Sequence, residues 1–136
     1  MIPLFVYGTL RPAVDLPRIR HLVARLRPIG AGRVPGRLVY LGSYPGAVVD
    51  PASGGFILGD VVELADETIL ADIDAYEEFD PQRPQAGEYL RRMRSVEVAD
   101  GRRLDCWIYE LQEVPSHAVA IAGGDYIAWL ATRPAK

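Results

Sequence analysis

The chain has 136 residues, of which 49% are hydrophobic and 24% are charged, and its formal net charge is −3. This composition predicts one soluble globular domain over residues 1–136, with enough apolar side chains to build a core. The acidic balance disfavours nucleic acid as a partner. No apolar run approaches the ~18 residues that predict a membrane span, so we expect a cytoplasmic protein with no membrane partner.

The residue types that most often bind metals are few and scattered. Cys106 is the only cysteine, and its apolar neighbours predict a strand in which the thiol fills space. His21 and His117 lie far apart in the sequence, and the chain has no Cys-x-x-Cys motif. We therefore expect neither an internal disulfide nor a metal site.

The first half of the chain predicts short strands and one helix. Ile2–Val6 predicts a buried strand that runs directly into Tyr7-Gly8-Thr9-Leu10, where glycine permits close approach of a ligand. Apolar residues recur at helical spacing over residues 16–26, and we expect Pro28 and Gly30 to end that helix. Further strands are predicted at residues 32–40, 47–49 and 56–64, joined by turns that favour a small curved sheet or barrel.

The second predicted helix carries a carboxyl group on its apolar face. Asp66 is the expected N-cap. The apolar stripe consists of Ile69, Leu70, Ile73 and Tyr76. Glu77 continues this stripe at helical spacing and should face inward, whereas Glu78 should lean outward. Asp72 and Asp74 flank the stripe and are expected to be exposed to solvent.

The second half of the chain predicts a hairpin and a terminal helix. A polar, proline-broken loop over residues 80–87 could form a lid or a rim. Strands are predicted at residues 88–98 and 103–111, joined by a turn that contains Asp100-Gly101. A short helix is expected at residues 126–132.

Two features of these elements point to chemistry. Burial raises the pKa of a carboxyl group, so an inward-facing Glu77 has the property of a general acid/base catalyst. Two other interpretations stay open: Glu77 pairs with an arginine such as Arg91, or it reaches water at the helix end. The backbone N–H groups of residues 7–10 could bind an anion, or this loop could be an ordinary connection.

A set of short motifs occurs in order along nearly the whole chain. They are Tyr7-Gly8-Thr9-Leu10, Tyr44-Pro45-Gly46, Gly59-Asp60-Val61, Ile73-Asp74-Ala75-Tyr76-Glu77, Tyr89-Leu90-Arg91, Trp107-Ile108-Tyr109 and Gly124-Asp125-Tyr126. In this order they resemble the γ-glutamylcyclotransferase-like (AIG2-like) family.

The resemblance implies an α+β fold, a small mixed β-barrel with short peripheral helices, and a cavity floored by the 7–10 loop. It also implies a cofactor-independent enzyme that acts on a small γ-glutamyl compound. The substrate's α-amine would attack its own γ-carbonyl, giving 5-oxoproline and releasing the amine. By position, Glu77 would be the catalytic acid/base. Gly8, Thr9 and Leu10 would bind substrate oxygens, and Tyr7 and Tyr89 would line the pocket.

Three alternatives stay open on the same fold. Glu88 directly precedes Tyr89, and the long 80–87 loop makes it a rival of Glu77 for the role of catalytic carboxylate. The domain could bind a small molecule without turnover. It could also hydrolyse the γ-glutamyl bond and release glutamate.

Overall fold

The computed structural model describes residues 1–133. In chain order its elements are β1 (Ile2–Val6), α1 (Arg20–Val23), β2 (Arg27–Tyr40), β3 (Pro45–Val49), β4 (Phe56–Leu64), α2 (Glu67–Tyr76), β5 (Tyr89–Val98), β6 (Arg103–Leu111), β7 (Val119–Ala120) and α3 (Tyr126–Thr132). Two 3₁₀ turns, Pro12–Val14 and Pro17–Ile19, precede α1. The predicted domain of residues 1–136 extends to residues 134–136, which lie outside the described residues.

Five strands close into a barrel in the order β1, β4, β2, β5, β6. Neighbouring strands are antiparallel except at the seam, where β6 and β1 meet in parallel with Leu4 opposite Trp107. β3 pairs antiparallel with β2 and parallel with β6, and β7 adds to β2. Closure satisfies backbone groups that an open sheet leaves unpaired at its edges. The predicted α+β fold, a small mixed barrel with short peripheral helices, is confirmed.

β1 is buried on both of its faces. Leu4 and Val6 pack in one hydrophobic cluster, together with the apolar face of α2. Phe5 and Tyr7 point the other way, into a second cluster formed by the other strands of the barrel. Burial on both faces explains why this strand is a continuous apolar run rather than an alternating one. The end of β1 therefore delivers the 7–10 loop to a place between the barrel and α2.

The predicted helix over residues 16–26 is much shorter in the structure. A 3₁₀ turn at Pro17–Ile19 leads into one turn of α-helix at Arg20–Val23, and β2 already begins at Arg27. Pairing of β2 with β4 draws these residues into the ladder, which overrides the helical pattern. Pro28 and Gly30 do not end the segment but flank a bulge inside β2, where proline's missing N–H is tolerated.

α2 has well-formed caps at both ends. The Asp66 carboxylate accepts hydrogen bonds from the backbone N–H groups of Thr68 and Ile69, as the sequence predicts. At the other end, Glu78 N–H donates to Ala75 O at 3.1 Å and Phe79 N–H donates to Asp74 O at 2.8 Å. This pair of bonds is a Schellman motif, which requires a left-handed residue after the C-cap. Glu78 takes that conformation, with φ at +57°.

Glu78→Gly should be more stable than Glu78→Ala by about 1 kcal/mol, because alanine keeps the Cβ that disfavours positive φ. Both substitutions remove the same charge, so their difference isolates the backbone effect. Urea unfolding monitored by circular dichroism measures it. Equal stabilities would show that the turn after α2 carries no conformational strain.

Candidate active site

A cavity of about 450 Å³ opens between the end of β1, the C-terminal end of α2 and the start of β5. The residues predicted for the site all line it, namely Tyr7, Gly8, Thr9, Leu10, Glu77 and Tyr89. Residues far apart in the sequence meet here because the barrel brings β1, β5 and β6 side by side. The rival carboxylate Glu88 also lines the cavity.

The 7–10 loop forms the part of the wall that can bind an anion. Arg11 N–H donates to Gly8 O at 3.0 Å and closes a tight turn. The N–H groups of Gly8, Thr9 and Leu10 donate to none of the described residues, although Gly8 and Leu10 are buried. Since buried N–H groups are nearly always paired in folded proteins, these three are candidate donors to an oxygen of a bound molecule.

Glycine is required at the start of this turn. A Cβ on Gly8 would lie 2.7 Å from Cγ of Pro45, closer than carbon atoms approach. Pro45 also accepts a hydrogen bond through its carbonyl oxygen from the Tyr89 hydroxyl at 2.7 Å. The Tyr-Pro turn before β3 thus packs against the 7–10 loop and positions it.

The loop is held from three other elements. The Arg11 guanidinium bridges Asp60 of β4 and Asp125 at the N-cap of α3, each at 2.9 Å. The Thr9 and Tyr76 hydroxyls are 2.7 Å apart, which ties the loop to the last turn of α2. These contacts fix the backbone amides without using them as donors.

Glu77 is the C-cap residue of α2 and is half-buried at the cavity wall. Its carboxyl group makes no hydrogen bond and no ion pair with any other described residue. The proposed pairing with Arg91 does not occur, because Arg91 binds Asp74 instead, with Nε 2.8 Å from Oδ1. The side chain is therefore free to exchange a proton with a molecule in the cavity.

The surroundings of Glu77 favour its neutral form. The pKa of Glu77 is raised to about 8, mainly by burial and further by the nearby charge of Glu88. The other carboxylate is different: Glu88 is exposed and accepts a hydrogen bond from the Tyr44 hydroxyl at 2.7 Å. Glu77 thus combines a raised pKa with a carboxyl group that has no partner among the described residues.

Three tyrosines of the cavity wall, Tyr7, Tyr89 and Tyr109, donate their hydroxyl protons to buried groups of the protein. Tyr7 donates to the carbonyl oxygen of Tyr109 at 2.5 Å, and Tyr109 donates to the Asp74 carboxylate at 2.6 Å. Burial raises the pKa of Tyr7, of Tyr89 and of Tyr109 above its usual value. These hydroxyl groups stay neutral near pH 7, and the three side chains shape the walls of the cavity.

Asp74 was expected to be exposed, and this expectation is wrong. Asp74 is only 5% exposed, because Arg91 of β5 and Tyr109 of β6 reach across to bind its carboxylate. Helical spacing alone could not reveal this, since both partners come from strands that follow α2. Arg91 and Tyr89 do lie two residues apart on one strand, which signals a shared face.

Several cavity residues had no predicted role in binding. Tyr109 and Tyr76 form parts of its wall, and Tyr44 stands at the rim. Arg18 is exposed and is the only cationic side chain among the described residues that line the cavity. The signal for Arg18 was weak because its neighbours on the same segment are surface arginines.

The 80–87 loop forms part of the rim and is pinned in place. The Gln112 amide donates to Gly87 O at 2.7 Å and to Pro84 O at 3.3 Å. A Cβ on Gly87 would lie 2.7 Å from the carbonyl oxygen of Glu78, so this glycine lets the loop return to the end of α2. These contacts favour a rim over a lid.

No group of three or more His, Cys, Asp or Glu side chains in residues 1–133 is arranged to hold a metal ion. Over the same residues, the helices are too short or too polar for one of them to traverse a lipid bilayer. Cys106 is buried, and burial raises the pKa of its thiol to about 11, in keeping with a space-filling role.

The family model "Gamma-glutamyl cyclotransferase, AIG2-like" matches residues 4–128. YkqA from Bacillus subtilis superposes with a TM-score of 0.69 at 28% identity, covering 92% of this chain and 39% of YkqA. The chain therefore spans about two fifths of the length of YkqA. No protein with a curated description matches the chain.

Two other solved structures have lengths closer to this chain. The protein ytfP from Escherichia coli has a TM-score of 0.63 at 28% identity, covering 93% of this chain and 96% of ytfP. An AIG2-like protein from Mus musculus has a TM-score of 0.68 at 24% identity, covering 85% of this chain and 80% of that protein. The family match extends from β1 into α3 and includes every residue of the cavity. The chain belongs to the gamma-glutamyl cyclotransferase, AIG2-like family.

Proposed function

We propose that this protein converts the γ-glutamyl group of a small γ-glutamyl amide or amine into 5-oxoproline and releases the amine. The observation that carries the proposal is the carboxyl group of Glu77, which has no partner among the described residues and lines the same cavity as Gly8, Thr9 and Leu10, whose backbone amides donate no hydrogen bond within residues 1–133. Membership of the family supports the same reaction class. The scheme uses only side chains and backbone groups of this chain.

Glu77 would transfer the proton that links bond formation to bond cleavage. Its carboxylate accepts a proton from the substrate's α-ammonium, and the freed nitrogen then forms a bond to the γ-carbon. The carboxyl group next gives this proton to the nitrogen of the leaving amine, and the old carbon–nitrogen bond breaks. The attacking nitrogen loses its second proton to solvent and the released amine gains one from solvent, so no net proton is consumed.

The amides of Gly8, Thr9 and Leu10 would stabilise the charge that develops on the γ-oxygen. The attack turns the γ-carbonyl into an oxyanion, and fixed N–H donors stabilise it without reorganisation. The reacting nitrogen and carbon belong to one molecule, so closure of the five-membered ring needs little help from the enzyme in bringing them together. Proton transfer and oxyanion binding are then the main tasks of the site.

The charges of the rim bear on how the substrate would enter. A γ-glutamyl head group carries an α-carboxylate, which Glu78, Asp80 and Glu88 of the cavity lining would repel. Arg18 is the cation available to this carboxylate at the cavity. The leaving amine would extend past the 80–87 loop, which we propose as the region that discriminates between amines.

The test is to incubate the protein with a panel of γ-glutamyl compounds and to identify the products by mass spectrometry. The panel contains γ-glutamyl amino acids, γ-glutamyl amines and ε-(γ-glutamyl)lysine. We expect 5-oxoproline and free amine in equal amounts from at least one member. Release of glutamate would identify a hydrolase instead. Binding without turnover across the panel would identify a non-catalytic binding domain.

A further inference from the structure

Asp74 and Arg91 form a closed ion pair beside the cavity. Arg91 Nε lies 2.8 Å from Asp74 Oδ1, and a terminal guanidinium nitrogen lies 3.2 Å from Oδ2. The side chain of Asp74 is 8% exposed and that of Arg91 is 12% exposed. A buried pair with two hydrogen bonds in this planar geometry is among the strongest that proteins form, and breaking one side leaves an uncompensated charge.

Two aromatic rings complete the enclosure of the Arg91 guanidinium. Its central carbon lies 4.3 Å from the ring centre of Trp107 and 5.3 Å from that of Phe79. Both contacts are in the range of cation–π attraction. Phe79 belongs to the Schellman motif after α2, so the same turn that ends the helix also helps to hold the arginine.

Both partners of this ion pair are placed near Glu77, Asp74 by α2 and Arg91 by β5. Asp74 precedes Glu77 by three positions on α2, and side chains with this spacing are neighbours on one face, with Cβ atoms about 5–6 Å apart. Arg91 shares a face of β5 with Tyr89, which lines the cavity. Glu77 is thus the neighbouring carboxylate on the helix face that Arg91 already contacts.

We propose that Asp74 is a positioning residue of this site: it holds the Arg91 guanidinium in a neutral pair and so keeps the Glu77 carboxyl group without a counterion. The same carboxylate also accepts from the Tyr109 hydroxyl at 2.6 Å, which orients a wall of the cavity. The role of Asp74 in turnover rests on the proposed function. The effect of Asp74 on the charge state of Glu77 does not depend on turnover.

The other charged groups at the cavity do not replace this pair. Glu78, Asp80 and Glu88, all from the segment after α2, line the cavity and provide no positive charge, and the charge of Glu88 favours the neutral form of Glu77. Arg18 comes from the segment before α1 and stands exposed. The tyrosines Tyr7, Tyr44, Tyr89 and Tyr109 all have pKa values raised above the usual one and stay neutral below pH 9. Two buried guanidinium groups remain: Arg11 is held by Asp60 and Asp125, and Arg91 is held by Asp74 alone, so the charge of Arg91 depends on this one carboxylate.

The test compares Asp74→Asn with Asp74→Asn/Arg91→Met and with Arg91→Met. Asparagine can keep the two hydrogen bonds that Oδ1 accepts, from Arg91 Nε and from the Tyr109 hydroxyl, while it removes the charge. The readout is the titration of the Glu77 side-chain carboxyl carbon by ¹³C NMR, assigned with a Glu77→Gln sample. The pH profile of kcat/KM is measured in parallel.

We expect Asp74→Asn to lower the pKa of Glu77 by about one unit or more, because it leaves a net positive charge nearby. The double variant has neither charge, so its Glu77 should titrate close to the parent value. Arg91→Met leaves only the negative charge and should not lower the pKa. Asp72→Asn is the matched control, since Asp72 is on the same helix and pairs with Arg25 at the surface; it should leave the titration unchanged.

A purely structural role of Asp74 predicts a different pattern. Loosened packing would reduce the stability of all three variants, but it would not lower the pKa of Glu77 in Asp74→Asn and restore the parent pKa in the double variant. A parental titration in Asp74→Asn, or a shift that persists in the double variant, would overturn the proposal. If Asp74→Asn does not fold, the double variant and Arg91→Met still test it, because a lowered Glu77 pKa in either one contradicts the proposal. Absence of turnover in the parent would overturn the proposed function and leave the NMR result valid.

Discussion

Replacing Glu77 with glutamine should lower kcat for 5-oxoproline formation by about 10³-fold or more, which is the contribution of a well-placed general acid/base. Glutamine keeps the shape of the neutral carboxyl group but cannot accept a proton. The substitution breaks no hydrogen bond with the described residues, so the fold should remain. Steady-state kinetics with the best substrate of the panel measures the effect, and thermal unfolding of the same sample verifies folding.

Glu88→Gln is the matched control for this experiment. Glu88 lines the same cavity, and glutamine can still accept the hydrogen bond from the Tyr44 hydroxyl. We expect this variant to keep kcat within about tenfold of the parent. Loss of turnover in Glu88→Gln alone would transfer the acid/base role to Glu88 and would mean that Glu77 serves only the shape of the cavity.

The kcat/KM of the parent should fall about tenfold for each pH unit below a pKa near 8. This profile reports the free enzyme, in which burial and the charge of Glu88 raise the pKa of Glu77 to about 8. Only the carboxylate form of Glu77 can accept a proton from the substrate, and the fraction of this form decreases as the pH falls. In the complex, the substrate's α-ammonium stabilises the carboxylate, so the corresponding limb of kcat should lie at lower pH.

Two further measurements bear on this pH dependence. Glu88→Gln removes a negative charge, so the fall of its kcat/KM should occur at lower pH than in the parent.

Unfolding gives a check without substrate, because the pKa of Glu77 in the folded protein lies above its ordinary value of 4.5. The stability that this group contributes is therefore complete below that value and is lost as the pH rises through about 8. Glu77→Gln should lack this component. A rate that does not vary between pH 5 and 8 would contradict Glu77 as the base.

The parts of the site that follow local patterns were predictable from the sequence. The apolar run of β1 marks a strand buried on both faces, and the glycine after it marks the loop that reaches the cavity. Helical spacing from Ile73 places Glu77 on the inner face of α2. In each case the information lies within one element, so a period of two or of 3.6 residues suffices.

The parts that depend on distant elements were not predictable. Asp74 looks solvent-exposed on the helix, and only the approach of Arg91 and Tyr109 from β5 and β6 makes its burial favourable. The segment before Gly32 has a helical pattern, yet pairing with β4 turns its end into strand. Tyr109 enters the site because its strand closes the barrel. These features are set by contacts that a single sequence does not specify by spacing.

The seam of the barrel determines when the site can form during folding. Tyr7 and Tyr109, 102 positions apart, meet at the place where β1 and β6 join. Closing so long a loop is entropically costly before its contacts form, and topologies dominated by such contacts fold slowly. The contact between the 7–10 loop and β6 therefore forms only when β1 meets β6, and until then the cavity lacks the part of its wall that Tyr109 provides.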